Sequence, residues 1–410
     1  MSGPDRESRA AEKAAESRFV FGPLKDAIGD IDPGRTVIVT DPEIRRLHGQ
    51  AFPPCPVIEV ERGEAAKTLA SAERLYGAFL DLALDRGSAV LAIGGGSVTD
   101  LSGFAASTWM RGIDFGFVPS TLLAMVDAST GGKNGVDFRG LKNLVGTINR
   151  PRFVRFDVSF LSTLPDRDFA SGMAEAIKHG VIAGGEHFAF LESRCVPPSD
   201  RVAAQGAMAD AVDRSATSAA SADPGAASVA AEPTAAAALG RGVLEGLVER
   251  SVRFKSGITC RDEREGGERR LLNLGHTIGH AVEAVTGIGH GEAVACGLAS
   301  AFRLALARGE GNKADMERVL VLLAAWGLPT SIAAAVALAS ARAAQEPAAG
   351  RAVMPVIDGP ELRGEIARTM TADKKRLGGK IAFALPRAIG DVVIAPIALC
   401  DLEQFVREAP

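Results

Sequence analysis

The chain has 410 residues, of which 47% are hydrophobic and 23% are charged, and its formal net charge is −4. This length allows two domains, and the composition is that of an ordinary soluble globular protein. The slightly negative charge gives no reason to expect nucleic acid or an anionic membrane surface as a partner. An anionic small substrate must therefore be met by a local basic cluster.

Three further features concern the compartment and the termini. The five cysteines are scattered without a C-x-x-C spacing, which indicates reduced, cytosolic thiols. No apolar run reaches the length that spans a membrane. Residues 1–17 are charged and rich in alanine and contain no hydrophobic signal core, so they are predicted to form a flexible tail.

The first half of the chain alternates short apolar runs with amphipathic stretches. Buried strands are predicted at residues 36–41, 56–60, 89–93, 115–119 and 153–156. Strands that alternate with helices indicate a parallel sheet covered on both faces. The sequence therefore predicts an α/β domain over residues 18–165.

Two polar, glycine-rich segments interrupt this half. The three glycines at 94–96 follow a predicted strand, and such a turn lets a pyrophosphate approach backbone N–H groups at a helix N-terminus. They do not form a G-x-G-x-x-G fingerprint, so a tight turn that only requires glycine is the alternative. Residues 127–143 carry Lys133 and Lys142 and are predicted to be a loop over an anionic ligand, with a solvated surface loop as the alternative.

After residue 165 the pattern becomes helical, which predicts an all-helical domain over residues 166–410. Glu175 and Lys178 lie one turn apart on a helix over 169–182, and alone this spacing indicates a surface ion pair. Residues 197–239 consist mainly of Ala, Ser, Pro and Gly with hardly any large apolar side chain. They are predicted to be a poorly ordered insertion with some helical patches.

Three of the six histidines lie in one short window, Asn273-Leu-Gly-His276-Thr-Ile-Gly-His280 followed by His290-Gly-Glu292. His276 and His280 are four residues apart and therefore share a helix face. Neutral imidazole is the commonest metal ligand, and a catalytic site needs three protein ligands and an open position. Spacing alone makes His276 and His280 the first metal-ligand candidates, with an ordinary pair of helix histidines as the alternative.

A series of short motifs follows in a fixed order along the chain. They are Gly-Glu64-x-x-Lys67-Thr, Gly94-Gly-Gly-x-x-x-Asp100, Met110-Arg111-Gly, Val126-Asp127, Gly-Gly-Lys133, Leu-Lys142-Asn143, Ala174-Glu175-x-Ile-Lys178, Asp262-Glu263-x-Glu265, Asn273-x-Gly-His276-x-x-Gly-His280, His290-Gly-Glu292-Ala-Val and Asp373-Lys-Lys. In order and spacing they resemble the 3-dehydroquinate synthase family of sugar-phosphate cyclases. The resemblance runs from about residue 36 to 395, apart from the insertion.

The resemblance implies a dehydroquinate synthase-like fold, with an N-terminal dinucleotide-binding α/β domain and an all-α C-terminal domain. It implies NAD, a divalent metal (zinc, with cobalt as an alternative) and a homodimer. The implied metal ligands are Glu175, His276 and His290. His280, a first candidate from its spacing, is assigned by the family to the substrate phosphate and to proton transfer.

The other site residues are carried over by position. The implied NAD contacts are Asp41, Glu64, Lys67, Gly95, Gly96, Asp100, Ser120, Thr121, Lys142, Phe160 and Thr163. The implied substrate and catalytic residues are Asp127, Lys133, Asn143, Lys178, Lys255, Arg269, Asn273, His280, Lys374 or Lys375, and Arg111 of the partner subunit. The chain departs from the family where Ser120 replaces a threonine and where Thr99 replaces a glycine.

The implied reaction converts 3-deoxy-arabino-heptulosonate 7-phosphate to 3-dehydroquinate and phosphate, a lyase step on the shikimate route to aromatic amino acids. It is a closed redox cycle of oxidation by NAD, phosphate elimination, hydride return and aldol closure. Three alternatives are another sugar-phosphate cyclase, a metal-dependent polyol dehydrogenase and a non-catalytic relative. Lys255 and Arg269 favour a substrate that carries a carboxylate, and a dehydrogenase would have no use for the whole basic cluster.

Overall fold

A computed structural model of the chain describes residues 17–197, 234–345, 357–372 and 379–408. The chain divides into two compact units. The first runs to Leu164 and also contains Lys255–Arg261, and the second contains Pro165–Phe254 and the chain from Asp262 onwards. The predicted tail, except Ser17, and most of the predicted insertion lie outside the described residues. None of the described helices is long and apolar enough to cross a membrane.

The first unit is built on a six-stranded parallel sheet in the order β1-β8-β5-β4-β2-β3. Its strands are β1 (Arg18–Phe21), β2 (Thr36–Thr40), β3 (Val57–Glu59), β4 (Ala89–Gly94), β5 (Asp114–Pro119) and β8 (Phe153–Phe156). Every residue of β2 is buried, as expected for a strand covered on both faces. The five predicted strands and the parallel sheet are confirmed; β1, a half-exposed edge strand, was not predicted.

Three helices connect these strands, as expected of a parallel sheet. They are α1 (Pro42–His48), α2 (Leu69–Asp81) and α3 (Gly96–Thr108). Helix α2 begins at the N-cap Thr68, whose hydroxyl accepts a hydrogen bond from the N–H of Ser71, and it buries Leu75 and Phe79. Helix α3 starts directly after the strand β4, which places the glycine-rich turn at the carboxyl end of the sheet.

The segment 127–143, predicted to be a loop, is mostly regular structure, so that prediction was wrong. A π-helical turn at Ala124–Ala128 leads into an antiparallel hairpin of β6 (Lys133–Phe138) and β7 (Leu141–Ile148). Gly135 and Gly146 face each other across this hairpin, and a Cβ on Gly135 would lie 2.8 Å from the carbonyl oxygen of Val145. The glycines thus permit a close approach of two strands.

The second unit is mainly helical. Its helices are α4 (Asp166–Ala183), α5 (Gly185–Arg194), α6 (Ala235–Leu239), α7 (Arg241–Arg261, whose last part belongs to the first unit), α8 (His276–Thr286), α9 (His290–Ala307), α10 (Lys313–Ala325), α11 (Ile332–Gln345), α12 (Pro360–Ala372) and α13 (Leu399–Glu408). One antiparallel hairpin, β9 (Lys380–Ala388) with β10 (Asp391–Ala398), adds strands that the all-α expectation did not include. Helix α6 is a helical patch within the predicted insertion.

Candidate functional site

Two histidines of the second unit meet at one buried carboxylate, which gives three potential metal-binding side chains. Glu175 lies in α4 and its side chain is fully buried, whereas His276 and His290 are the first residues of α8 and α9. Oε1 of Glu175 lies 3.5 Å from Nε2 of His276 and 3.5 Å from Nε2 of His290. Tetrahedral zinc with ligands at 2.0–2.2 Å requires ligand atoms roughly 3.3–3.5 Å apart. Both the donor chemistry and the spacing therefore fit a zinc-like divalent cation.

The two histidine helices can approach closely because their contact is made of glycine and alanine. A Cβ on Gly279 of α8 would lie 2.6 Å from the carbonyl oxygen of Ala293 in α9. A Cβ on Gly297 would lie 1.9 Å from the carbonyl oxygen of Gly275. Gly275 itself has φ +81°, a conformation that favours glycine, and it starts the helix at His276. The glycines of the histidine motif thus bring the two imidazoles together.

His280 lies beside the same cluster. Its ring centroid is 4.9 Å from that of His276 and 5.7 Å from that of His290. A nitrogen of each of the three rings lies within 4.8 Å of one of each of the others, so the three histidines also form a candidate ligand group. The 3.5 Å separations from Glu175 match a tetrahedral site more closely, and His280 is the exposed member of the three histidines. The geometry favours Glu175 over His280 as the third ligand.

Buried charges tune this cluster. Lys178 forms an ion pair with Glu175 inside the unit, although the spacing alone had indicated a surface pair. Burial, with Lys178 nearby, lowers the pKa of His276 to about 3, which keeps a nitrogen lone pair available. Burial disfavours the charged form of His290 too, but hydrogen bonds to Glu175 and Glu283 outweigh it and raise the pKa of His290 to about 9. These carboxylates create an environment that favours a cation.

Other predicted substrate-binding residues of the second unit lie in the turn before α8. The carboxylate of Asp262 accepts hydrogen bonds from the N–H groups of Gly266, Gly267 and Arg269, which shapes this turn. The buried Arg269 donates through Nη1 to the carbonyl oxygen of Glu263 at 2.7 Å. Nδ2 of Asn273 donates to Oε1 of Glu265 at 2.7 Å. The acidic motif 262–265 is therefore a scaffold for Arg269 and Asn273.

In the first unit, a buried lysine joins residues that the sequence had assigned to different ligands. Nζ of Lys67 lies 2.9 Å from Oδ2 of Asp100, 3.6 Å from Oε1 of Glu64 and 2.5 Å from Oδ1 of Asn143. Burial raises the pKa of Asp100 to about 6, and Lys67 partly offsets that rise. Glu64 also accepts a hydrogen bond from Oγ of Ser97 at 3.1 Å. Asn143, expected at the substrate, thus lies beside the predicted NAD residues.

The glycine-rich turn suits an anionic ligand. Gly95 caps α3 without a side-chain hydrogen bond, and Gly96 is the first residue of the helix. The buried Oγ of Ser120 has no hydrogen-bond partner among the described residues. Thr99, where the family has glycine, is buried and donates its hydroxyl to the carbonyl oxygen of Gly96 at 3.0 Å. A helix N-terminus with an unused hydroxyl nearby fits a pyrophosphate.

Part of the glycine pattern has a packing reason. A Cβ on Gly94 would lie 2.7 Å from Cβ of Val98, and a Cβ on Gly95 would lie 3.2 Å from Cγ2 of Thr121. The alternative of a tight turn that requires glycine therefore applies to Gly94. It does not exclude the ligand site, because the N-terminus of α3 begins two residues later.

The remaining predicted residues of the first unit lie at several separate positions. Asp41 caps α1 and accepts hydrogen bonds from two backbone N–H groups. Phe160 contacts His48 through tilted rings whose centroids are 4.3 Å apart, and Oγ1 of Thr163 lies 2.8 Å from Nε2 of His48. Lys255 in α7 places Nζ 2.8 Å from Oδ1 of Asp127. Arg111, Lys133 and Lys142 are exposed, and Lys374 and Lys375 lie outside the described residues.

Three residues next to the histidine cluster, of which Glu292 belongs to a quoted motif, were not predicted to have a role in the site. Oε2 of Glu283 lies 3.2 Å from Nδ1 of His290. Glu292 is buried, accepts from the N–H of Gly289 at 2.8 Å and forms a bidentate ion pair with Arg342. The position of Glu283 could have been predicted from the sequence, because it follows His276 by two helical turns and therefore shares its helix face. Arg342 lies in an alanine-rich stretch of α11 and had none.

The chain matches two family models, 3-dehydroquinate synthase N-terminal over residues 57–171 and 3-dehydroquinate synthase C-terminal over residues 221–346. It is 37% identical over 371 residues to a 3-dehydroquinate synthase of Desulforamulus reducens, covering 88% of this chain and 86% of that protein. A 3-dehydroquinate synthase of a Synechococcus species is also 37% identical, with 88% and 84% covered.

Among solved structures, the fold is similar to that of ValA, a 2-epi-5-epi-valiolone synthase from Streptomyces hygroscopicus with NAD+ and Zn2+ bound. The TM-score is 0.72 at 26% sequence identity, and 96% of each chain is covered. The two family models together match more than half of the chain, and the similar sequences align with most of it. The chain therefore belongs to the 3-dehydroquinate synthase family.

Proposed function

We propose that this chain is a 3-dehydroquinate synthase, a phosphate-eliminating lyase that converts 3-deoxy-arabino-heptulosonate 7-phosphate to 3-dehydroquinate. The observation that carries the proposal is the convergence of His276 and His290 on Glu175, in a chain that is 37% identical to 3-dehydroquinate synthases. The buried cations nearby, Lys178 and Arg269, suit a substrate that carries a phosphate and a carboxylate.

Glu175, His276 and His290 would hold a divalent cation, with zinc as the expected metal and cobalt as a substitute. When bound, such a cation acts as a Lewis acid toward a substrate hydroxyl. Lys178 forms an ion pair with the buried carboxylate of Glu175, which supplies positive charge beside this ligand. Low basicity keeps His276 neutral, as a ligand must be. The chain's own contribution is thus a preorganised set of three donors.

The first unit would bind NAD, which would supply reversible hydride transfer for the closed redox cycle. The N-terminus of α3 at Gly95 and Gly96 would face the pyrophosphate, and the hydroxyl of Ser120 would donate to it. The buried Lys67 adds a positive charge beside Asp100. The other implied NAD contacts are proposed from family position only: Asp41, Glu64, Thr121, Lys142, Phe160 and Thr163.

Arg269, Asn273, Lys178 and His280 of the second unit would bind and orient the substrate. Arg269 offers a planar guanidinium suited to a carboxylate, and its contact with the carbonyl oxygen of Glu263 fixes its direction. His280 is exposed and beside the other two rings, which suits proton transfer. The first-unit residues Asp127, Lys133, Asn143 and Lys255 remain predictions from the family, as do Arg111 of the partner subunit and Lys374.

We also propose a homodimer in a reducing cytosol. The β6–β7 hairpin exposes Leu141, Leu144 and Ile148, each more than half exposed, and an apolar surface of this kind is typical of an interface. All five cysteines are free thiols in the structure. Size-exclusion chromatography with light scattering tests the dimer directly.

The proposed function is tested by phosphate release from a panel of substrates, with NAD and zinc present. We expect release from 3-deoxy-arabino-heptulosonate 7-phosphate and none from a heptulose phosphate that lacks the carboxylate. Release only from the latter would assign the chain to a sister cyclase, and NADH accumulation with simple polyols would make it a dehydrogenase. No turnover with any of them would leave a non-catalytic relative. His276→Ala is the inactive control.

A further inference from the structure

His290 is held from both sides by carboxylates on two different helices. Its Nε2 lies 3.5 Å from Oε1 of Glu175, and its Nδ1 lies 3.2 Å from Oε2 of Glu283. Glu283 is in α8 and has a side chain that is 11% exposed, and His290 begins α9. The imidazole therefore bridges one carboxylate of the proposed metal site and one outside it.

The chemistry of imidazole gives this bridge a direction. In a neutral ring one nitrogen carries the proton and the other a lone pair, and the partner of one nitrogen decides the state of the other. A ligating histidine gives a lone pair from one nitrogen and keeps a proton on the other, and the Glu283 carboxylate beside Nδ1 accepts that proton's hydrogen bond, which leaves Nε2 as the nitrogen for a metal ion. That lone pair then points toward the side where Glu175 lies, which is the side a metal ion would occupy.

We propose that Glu283 is a positioning residue that fixes the tautomer and ring orientation of His290 for metal binding. The inference rests on the proposed function, because it concerns the metal site assigned there. Carboxylates that accept from the second nitrogen of a ligating histidine orient the ring and raise its basicity as a ligand.

The other proposed histidine ligand, His276, has a different kind of acceptor at its Nδ1. Nδ1 of His276 lies 3.2 Å from the carbonyl oxygen of Leu274, so it too faces an acceptor, but a neutral one supplied by the backbone. The chain thus orients one ligand through a fixed peptide group and the other through a carboxyl side chain. A side-chain substitution can therefore remove the acceptor at Nδ1 of His290 but not the one at Nδ1 of His276.

The backbone of His290 is held independently of Glu283. The N–H of Gly289 donates to Oε2 of Glu292 at 2.8 Å, and Glu292 is anchored by Arg342. These contacts fix the first turn of α9. Removing Glu283 should therefore release the imidazole ring without displacing the start of the helix.

The test measures zinc affinity by competition with a chromophoric chelator, in the wild type and in Glu283→Gln and Glu283→Ala. We expect zinc to bind about 10- to 100-fold more weakly in Glu283→Ala. Glu283→Gln should fall between, because its amide oxygen still accepts a hydrogen bond without the charge. The matched control is Glu317→Gln, an exposed carboxylate of α10, which should leave zinc affinity unchanged.

A double-mutant cycle with His290→Ala separates positioning from a general structural effect. If Glu283 acts through His290, Glu283→Ala should cost zinc affinity in the wild-type background and almost none when His290 is already alanine. Equal losses in both backgrounds would overturn the inference, as would wild-type affinity in both Glu283 variants. A wild-type protein that binds no zinc would overturn the proposed metal site as well, so the two failures are distinguishable.

The absorption spectrum of the cobalt-substituted protein adds a second readout. Cobalt d–d bands report the geometry of the ligand set, so we expect a changed spectrum in Glu283→Ala and an unchanged one in Glu317→Gln. Identical spectra in the wild type and Glu283→Ala would contradict a role in orienting His290.

Discussion

Oε1 of Glu175 lies 3.5 Å from Nε2 of His276, although the two residues lie on helices far apart in the chain. The side chain of Glu175 is fully buried and is charge-compensated by Lys178. Burying a carboxylate is costly without such compensation. A buried carboxylate aimed at two imidazoles is what a metal site requires, and the first predictions concern this arrangement.

Substitution of Glu175 by glutamine should remove the anionic ligand and the ion pair between Glu175 and Lys178. We expect metal affinity and phosphate release to fall more than about 100-fold, beyond the range typical of residues that only support a ligand. Metal content by plasma emission spectrometry and phosphate release check this. Glu186→Gln, an exposed carboxylate at the start of α5, is the control and should behave as the wild type.

Removal of the metal should lower activity and thermal stability together. A ligand that binds only the folded state at 100 times its dissociation constant stabilises it by about 2.7 kcal/mol. We therefore expect chelator treatment to lower both Tm and phosphate release, and zinc or cobalt to restore them. A chelated protein that keeps full activity would contradict the assigned metal site.

The pH dependence of stability should contain a contribution from His187. Burial lowers the pKa of His187 to about 3, with His179 nearby, whereas an unfolded histidine titrates near 6.5. Below about pH 6.5 the unfolded state binds a proton that the folded state resists, so stability is lost as the pH falls toward 3. The loss is about 1.4 kcal/mol per pH unit at most.

His187→Phe should remove this contribution. Its free energy of unfolding, measured in urea at pH 7.5 and 5.5, should change less between the two pH values than that of the wild type. Nε2 of His187 has no hydrogen-bond partner among the described residues, so phenylalanine sacrifices no bond there. The same pH slope in both proteins would show that His187 does not titrate as expected.

The Glu292–Arg342 pair should matter for both stability and metal binding. Burial alone would raise the pKa of Glu292, but hydrogen bonds and charge from Arg342 outweigh it and lower that pKa. Arg342→Ala would leave the buried carboxylate with Arg167, at 3.5 Å, as its remaining cation. We expect a loss of about 1–3 kcal/mol in the free energy of unfolding.

The control for this variant is Arg308→Ala, which removes a more exposed pair with Glu310 and should cost less than about 1 kcal/mol. Because Glu292 holds the N–H of Gly289 next to His290, zinc affinity should also fall in Arg342→Ala. Equal stability of the two arginine variants would mean that the Glu292 pair contributes no more than a surface contact.

Five strands of the parallel sheet could be predicted because each is a short, mainly apolar run, whereas the half-exposed edge strand β1 is not. Part of the β6–β7 hairpin was mistaken for a loop because Gly135, which indicates a loop in sequence, lies opposite Gly146 in the sheet. That pairing depends on register, which a single strand does not reveal. The β9–β10 hairpin was not predicted either, because it lies within a mainly helical unit.

The candidate site could be predicted only in part. The three histidines lie in one window, but the third donor is Glu175, whose spacing from Lys178 alone indicates a surface pair. Glu175 meets His276 and His290 only because helices that come later in the chain pack against α4. The contact of Arg342 with Glu292 likewise joins residues that are distant in the sequence. The resemblance to the family supplied the ligand set that spacing could not.

The most direct test of the account follows phosphate release and NADH absorbance in one reaction with 3-deoxy-arabino-heptulosonate 7-phosphate, zinc and a trace of NAD. A synthase that returns its hydride should release phosphate in large molar excess over NAD, with no net gain of NADH. His276→Ala should release none. NADH that accumulates in proportion to phosphate, or release that stops once NAD has been used, would contradict the account.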